Sequence, residues 1–480
     1  MTVVFFVLNS AFLFSLLLVN SNKTLLLISL VYLIILIGKT QNYRLSLFLL
    51  FVNLLPFTIG RNLIDTTLIK RDEIFSFAIY DVKYFLPIYL SDLFLVLIYQ
   101  NYFSKKFFDK KTNKTDKNKL SLTNKISLLS LLVFFLLILL RNPGHEFSSL
   151  LLAGSVIILK FILVFSLPHL IDLKNKKYFE ILLSTLASMT FFHTSMVLYE
   201  QWKGGNLGRF IENRLPGIEF GTRSSEAADL LRADGIFNEP NITAIFLLMN
   251  FMILFSLSLE KFKQNKKNAY LILSLAFLAL VGIIFTGSRS LYFLTGVSLI
   301  FYFLKYKKII WQIAQQLFQK KIFQISLAIV VLLALPYVLI RTSSLQNVLS
   351  RDGSLSYRQE LNQHVLSMSF KNYLGIGLDL TPYYLAKNFK TVDSPVVIFD
   401  QAPAHNILVQ LLAETGVLAT LVFVFFVYQT IKNGWNGQNQ IFGIAALAYF
   451  LAAQFHPVFT NHYELTAFFF LYLGIANYET

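Results

Sequence analysis

The chain is 480 residues long, 55% hydrophobic, with a formal net charge of +16 at pH 7 and a mean hydropathy of +0.60. That apolarity excludes a soluble globular domain and specifies an all-α polytopic membrane protein. The lack of cysteine excludes disulfides, thiolate metal sites and a cysteine nucleophile. The lysines sit in short loops between apolar runs, so membrane topology accounts for the charge and nucleic acid is rejected as a partner.

Taken in chain order, hydropathy places about fourteen spans, at 3–19, 24–38, 44–59, 85–103, 126–140, 149–170, 179–199, 241–259, 269–286, 290–304, 323–340, 405–431, 440–456 and 464–477. This gives about 12–14 transmembrane helices within one integral membrane domain, 1–480. The first apolar run lacks a small-residue cleavage site and reads as a retained span. Segment 309–321 (WQIAQQLFQKK and flanks) reads as an interfacial amphipathic helix. Residues 60–84 read as a further amphipathic interfacial piece. Two longer segments complete one face: 200–240, glycine-rich and charged, and 341–404, long enough for a small helical lid over an active site. No internal repeat is visible, which weakens a transporter built from repeated halves.

The arginines carry the first functional signal. With the loop bearing Lys105, Lys106, Lys110 and Lys111 set in the cytoplasm, alternation puts both termini inside and most loop lysines with them. Eleven of the twelve arginines then fall outside, leaving Arg44 within. Guanidinium is the fork that grips phosphate in two-pronged fashion. An outer face of arginines therefore points to a phosphate- or pyrophosphate-bearing substrate handled beyond the cytoplasm.

Three positions stand out. Arg289 lies in Thr286-Gly287-Ser288-Arg289-Ser290, a turn between two spans where Ser288, Ser290 and the free amides of a helix N-terminus offer an anion site. Its bland alternative is snorkelling to headgroups. Arg358, in Ser356-Tyr357-Arg358-Gln359-Glu360, taken alone reads as a surface arginine paired with Glu360 or Asp352. His405, in Pro403-Ala404-His405-Asn406, stands where the outer loop meets a span. There a histidine is placed for proton transfer near neutral pH, or simply for capping and packing. Glu414 lies roughly 13 Å deeper along the same span and on its opposite face; it reads as bonded to a neighbouring helix. Lys160 and Asp92 read as an internal pair, and Arg223 and Arg232 as candidate ligands for acceptor phosphates.

In order, Gly235-Ile236-Phe237-Asn238-Glu239-Pro240-Asn241, Thr286-Gly287-Ser288-Arg289, Arg358, Gly375-Ile376-Gly377-Leu378, and His405-Asn406 running into Leu411-Leu412-Ala413-Glu414-Thr415-Gly416 form a set. Over roughly residues 230–430 this set resembles the O-antigen ligase and O-antigen polymerase superfamily of bacterial membrane glycan transferases. Glu239 is a departure, since the family usually passes directly from asparagine to proline. The resemblance implies a GT-C-like, metal-independent, all-helical transferase in the bacterial inner (cytoplasmic) membrane, with its site facing the periplasm or cell exterior. It implies that Arg289 and Arg358 hold the pyrophosphate of an undecaprenyl pyrophosphate-linked glycan donor, and that His405 activates or steers the acceptor hydroxyl. Asn238, Asn241, Ser288, Tyr357, Asn406, Arg341 and Arg351 are the expected substrate-binding residues. The implied acceptor is lipid A–core or a second lipid-linked glycan, in O-antigen or surface polysaccharide assembly, with membrane lipids as surroundings.

The chemistry of the residues agrees. Two arginines stabilise a pyrophosphate leaving group in place of a metal ion, and a histidine accepts or positions the acceptor's proton. The outer loops hold no Asp-x-Asp pair and no histidine pair at ligand spacing, so no metal and no cofactor is expected. The alternative class is a lipid-linked oligosaccharide transporter or flippase, which needs charged groups along a path through the membrane.

Overall fold

The structure, a computed structural model, describes residues 3–19, 21–57, 60–69, 82–108, 122–139, 148–205, 231–237, 239–264, 268–319, 321, 324, 332, 335–339, 353–388, 404–435, 439–456, 458–459 and 462–478. Its described elements are helical apart from one strand pair. Five described helices are long and apolar enough to cross a membrane, and six shorter ones are equally apolar. The chain is a polytopic all-α membrane protein, and it divides into two compact units.

The first unit comprises Met1–Phe57, Leu173–Arg351 and Leu447–Ala452. It contains α1 (Val3–Leu17), α2 (Asn22–Thr40), α3 (Tyr43–Leu54), α7 (Lys176–Lys203), α8 (Pro240–Lys263), α9 (Asn268–Phe285) and α10 (Arg289–Phe318). α8 is apolar on every side, so it needs protein or lipid all round; its whole apolar window is buried, largely against α9. Gly282 of α9 makes the approach possible: a Cβ there would lie 2.7 Å from Leu247 of α8 and 3.2 Å from Thr194 of α7.

Asn9 joins four helices. Its amide donates to the Phe5 carbonyl (2.7 Å) and Thr185 Oγ1 (3.1 Å), and its Oδ1 accepts from Asn53 Nδ2 (2.9 Å) and from Tyr32 OH. Such side-chain bonds hold helices together where lipid supplies no hydrophobic force between them. α10 continues past the expected span through a kink at Tyr306 (φ −123°, ψ 23°) into the segment read as amphipathic. Trp311 and Phe318 are exposed there and Ile313 is buried.

The second unit comprises Thr58–Asp172, Asp352–Ala446 and Ala453–Thr480. It holds α4 (Leu90–Phe108), α5 (Leu122–Leu139), α6 (Ser148–Leu170), α11 (Gly353–Lys371), α12 (Thr381–Asn388), α13 (Ile407–Gly434) and α15 (Tyr463–Ala476). α14 (Gln440–Ala452) ends one residue before Ala453. α13 packs on α5 and α11, and α15 on α6. Gly474 of α15 admits the Phe165 carbonyl of α6, which would stand 2.1 Å from a Cβ at that position.

Of the segment 60–84, the structure describes residues 60–69 and 82–84, and these are strands. β1 (Gly60–Ile69) and β2 (Val82–Tyr89) pair antiparallel, from Gly60↔Tyr89 to Ile69↔Val82, with irregularities between Asn62 and Ile64 and between Thr67 and Ile69. β-branched and aromatic residues dominate the second segment, the first carries Ile64, Thr66, Thr67 and Ile69, and Pro87 opposes a helix through the second. The strand takes residues 82–89, so the span expected from 85 begins at Leu90.

Lys160 and Asp92 do pair. Lys160 Nζ lies 2.6 Å from Asp92 Oδ2, which also accepts from the Tyr89 amide at 3.0 Å; Tyr463 OH donates to Asp92 Oδ1 at 3.0 Å. The ammonium lies 4.8 Å from the Tyr463 ring centre. The carboxylate is thus satisfied on both oxygens and ties α4, α6 and α15 together. Removing one member of a buried pair strands the other charge, at about 3–5 kcal/mol. Asp92→Ala is therefore expected to lower the melting temperature in detergent sharply, and adding Lys160→Met to recover most of it. An unchanged melting temperature for Asp92→Ala would show that the pair does not hold these helices.

Candidate active site

The candidate side chains His405 and Arg289 stand beside helix starts. In the second unit, α13 starts at Ile407 because Asn406 is its N-cap. The Asn406 Oδ1 accepts from the Leu408 amide (2.9 Å) and the Val409 amide (3.1 Å), two of the donors a helix start leaves unmet. The Ile407 amide donates to the Ala453 carbonyl at 2.9 Å. His405, one residue before the cap, is held by both bonds through the backbone.

Arg358 stands on α11, within the segment expected to form a lid. Arg358, Gln359, Asn362, Gln363 and Leu366 fall at the spacing of one helical face. That face and the start of α13 enclose a cleft of ≈ 380 Å³, into which His405 and Val409 project from one side and Gln454 and Phe455 close another. The structure therefore brings Arg358 and His405 together. Glu360 lies 3.7 Å from His364, and Asp352, the other partner expected for Arg358, lies outside the described residues.

The geometry between α11 and α13 depends on an interruption of α13. At Gly416 the backbone leaves the helix (φ 85°, ψ 171°), and residues 373–377 run alongside the break. Ile376 and Gly377 donate to the carbonyls of Ala413 (2.7 Å) and Glu414 (2.9 Å), and Val417 donates to Tyr373 (3.0 Å). The groups freed by the break are thereby satisfied, which a broken helix at membrane depth requires. Glu414 reinforces the join: its carboxylate accepts from the Asp379 amide (2.9 Å) and Thr381 Oγ1 (2.8 Å), with Gln410 Nε2 at 3.4 Å. Glu414 does serve structure, as expected: it bonds Thr381, the first residue of α12, together with the loop after α11 and its own helix. Asp379, with φ +61°, is held in a left-handed conformation beside it.

Arg289 belongs to the first unit. It is the first residue of α10, behind the Gly287 turn (φ +65°) and the N-cap Ser288. The Ser288 side chain makes no capping bond; its Oγ is buried with no hydrogen-bond partner among the described residues. The turn is braced from below. Gln201 Nε2 donates to the carbonyls of Leu231 (2.9 Å) and Phe285 (3.0 Å), as does Tyr337 OH (3.0 and 3.1 Å). The buried Glu200 carboxylate accepts from the Asp234 (3.0 Å) and Gly235 (2.8 Å) amides. Arg232 donates to Asn241 Oδ1 (2.9 Å) and the Thr286 carbonyl (3.3 Å), so the guanidinium and the Asn241 oxygen serve each other. Glu239 is the N-cap of α8 without a side-chain capping bond, and Pro240 takes the first helical position.

Asn238, Arg341 and Arg351 lie outside the described residues, as does Arg223; Tyr357 falls on α11 with its side chain undescribed. Sequence reasoning missed the amides Gln359, Asn362, Gln363 and Gln454 that line the cleft. Their signal is the i, i+3, i+4 spacing of 359, 362 and 363, legible once residues 353–371 are read as helix. Among the described residues, no group of three or more histidine and acidic side chains is placed to hold a metal ion.

Comparison with curated proteins finds no match. Residues 274–424 match the family model described as O-antigen ligase, a stretch that runs from within α9 to within α13 and includes Arg289, Arg358, His405 and Glu414. Over this stretch the chain is similar to the O-antigen ligase family.

Proposed function

We propose that the chain is a membrane glycosyltransferase that moves a glycan from an undecaprenyl pyrophosphate carrier to an acceptor sugar hydroxyl at the extracytoplasmic face of the bacterial inner membrane. The observation that carries this reading is the shared cleft of Arg358 and His405, a guanidinium and an imidazole on two helices held in register by the break at Gly416.

In the proposed reaction the acceptor oxygen attacks the anomeric carbon and forms the new glycosidic bond. The bond from that carbon to the pyrophosphate oxygen breaks, and its electron pair leaves with the pyrophosphate. Arg358 neutralises the charge that develops there. His405 takes the acceptor's proton, or orients the hydroxyl that loses it. Arg289, at a helix N-terminus that favours anions, is assigned to donor phosphate as well. Asn406 keeps His405 in place, and Ser288, Asn238, Asn241, Tyr357, Arg341 and Arg351 complete the proposed substrate contacts. Metal independence belongs to the same reading.

The test uses purified protein in lipid with one undecaprenyl pyrophosphate-linked repeat unit, with and without lipid A–core, and gel analysis of the glycan. A ladder from the repeat unit alone identifies a polymerase; product only with lipid A–core identifies a ligase. EDTA is expected to leave either activity unchanged. Movement of the lipid-linked sugar across the bilayer, with no new glycosidic bond under either condition, would replace this reading by a transporter.

A further inference from the structure

Four primary amides line the cleft that holds Arg358 and His405: Gln359, Asn362 and Gln363 from α11, and Gln454 from the turn after α14. Among the described residues the lining includes one guanidinium and one imidazole, and no carboxylate. A primary amide offers two N–H donors and a carbonyl acceptor with no charge. Sugar hydroxyls are donors and acceptors at once, so a set of amides matches a pyranose rim without fixing the sign of a charge. Asn362 Oδ1 is buried and has no hydrogen-bond partner among the described residues. A buried acceptor left in that state is costly unless something else satisfies it. Phe455, 42% exposed, adds an aromatic surface beside the amides. Leu366 and Val409 give the cleft an apolar floor suited to the C–H face of a sugar ring.

We infer that this amide-lined cleft is the subsite for an uncharged pyranose, the donor sugar attached to the pyrophosphate, with Asn362 and Gln363 binding its hydroxyls. This rests on the transferase reading for the identity of the donor. The amides follow Arg358 along α11 at about 1.5 Å per residue, so a ligand whose phosphate meets Arg358 lays its first sugar along Gln359, Asn362 and Gln363. A sugar bearing a free ammonium group meets the guanidinium and no carboxylate among the described lining residues.

The experiment measures binding without turnover, so that its failure and that of the transferase reading are separable. Undecaprenyl pyrophosphate carrying one glucose, the same lipid carrying glucosamine, and bare undecaprenyl pyrophosphate are titrated against the full chain in nanodiscs without acceptor. The glucose lipid is expected to bind about tenfold more tightly than the bare lipid, the contribution of one or two hydrogen bonds. The glucosamine lipid is expected to show no such gain. Asn362→Ala and, separately, Gln363→Ala should remove most of the glucose gain while leaving bare-lipid affinity unchanged. Equal loss for glucose and bare lipid, an undiminished glucose gain in both variants, or full gain with glucosamine would each overturn the assignment. Persistence of the glucose gain in a protein that never forms a glycosidic bond would leave the subsite standing and remove the transferase reading alone.

Discussion

Gly416→Ala is expected to destabilise the second unit by about 2–6 kcal/mol, enough to abolish a monodisperse folded protein in detergent. Two effects add. The conformation at Gly416 (φ 85°, ψ 171°) belongs to a region that only glycine adopts readily, at about 1–3 kcal/mol for any other residue. A Cβ there would also stand 2.5 Å from the Leu374 carbonyl carbon and 2.7 Å from the Tyr373 oxygen. These are backbone atoms that cannot rotate away, and overpacking of this kind adds about 1–3 kcal/mol. Gly375 faces the same crossing from the other side. Its φ is +83°, and a Cβ would lie 2.4 Å from the Gly416 amide nitrogen, so Gly375→Ala should behave alike. Gly38 and Gly296, helical glycines with nothing within 4 Å of an added Cβ, are the controls; alanine there should leave the melting temperature unchanged or raised. A Gly416→Ala protein that elutes and melts like the wild type would mean that the chain does not cross itself here.

The same residues show how far the sequence could be read. Spans were legible because a long apolar run needs no tertiary partner to be recognised, and the helices from α5 to α9 lie where hydropathy puts them. The strand pair was not, because the apolar residues of Val82–Tyr89 run straight into the span that follows and hydropathy carries no information about hydrogen-bond partners. His405 was legible as the place where a loop meets a span, because an apolar run begins there, but the capping role of Asn406 comes from the fold. Glu414 was readable as structural, but its partners Asp379 and Thr381 are far away in sequence, and only the fold brings them to it. Arg232 illustrates the reverse limit. An arginine in a loop reads the same whatever its partners, and only the fold shows that Arg232 bonds Asn241 and Thr286. The cleft amides were overlooked because residues 341–404 were weighed by length, and a helical stripe appears only when a period is sought.

Arg358→Ala is expected to reduce kcat/KM for the lipid-linked donor by about 10²–10³-fold, the scale on which loss of one aimed donor to a developing oxyanion is felt. Arg358→Lys should recover little of it. An ammonium restores the charge but not the planar two-pronged fork, so if charge alone mattered, lysine would return most of the activity. His405 separates from Arg358 in the kinetics. His405→Ala should lower kcat by about 10²–10⁴-fold while donor affinity stays near that of the wild type, because proton transfer matters in the transition state and hardly in the bound ground state. Asn406 supplies the control for position. Asn406→Asp keeps an oxygen for the Leu408 and Val409 amides and should preserve turnover, whereas Asn406→Ala loses the cap, about 1 kcal/mol, and lets His405 drift. If His405→Ala instead raised the donor KM with kcat intact, the imidazole would be a binding group and the proton would have to leave by another route. Wild-type rates in Arg358→Ala would remove the pyrophosphate from α11 altogether, and with it the reason for the guanidinium and imidazole to share a cleft.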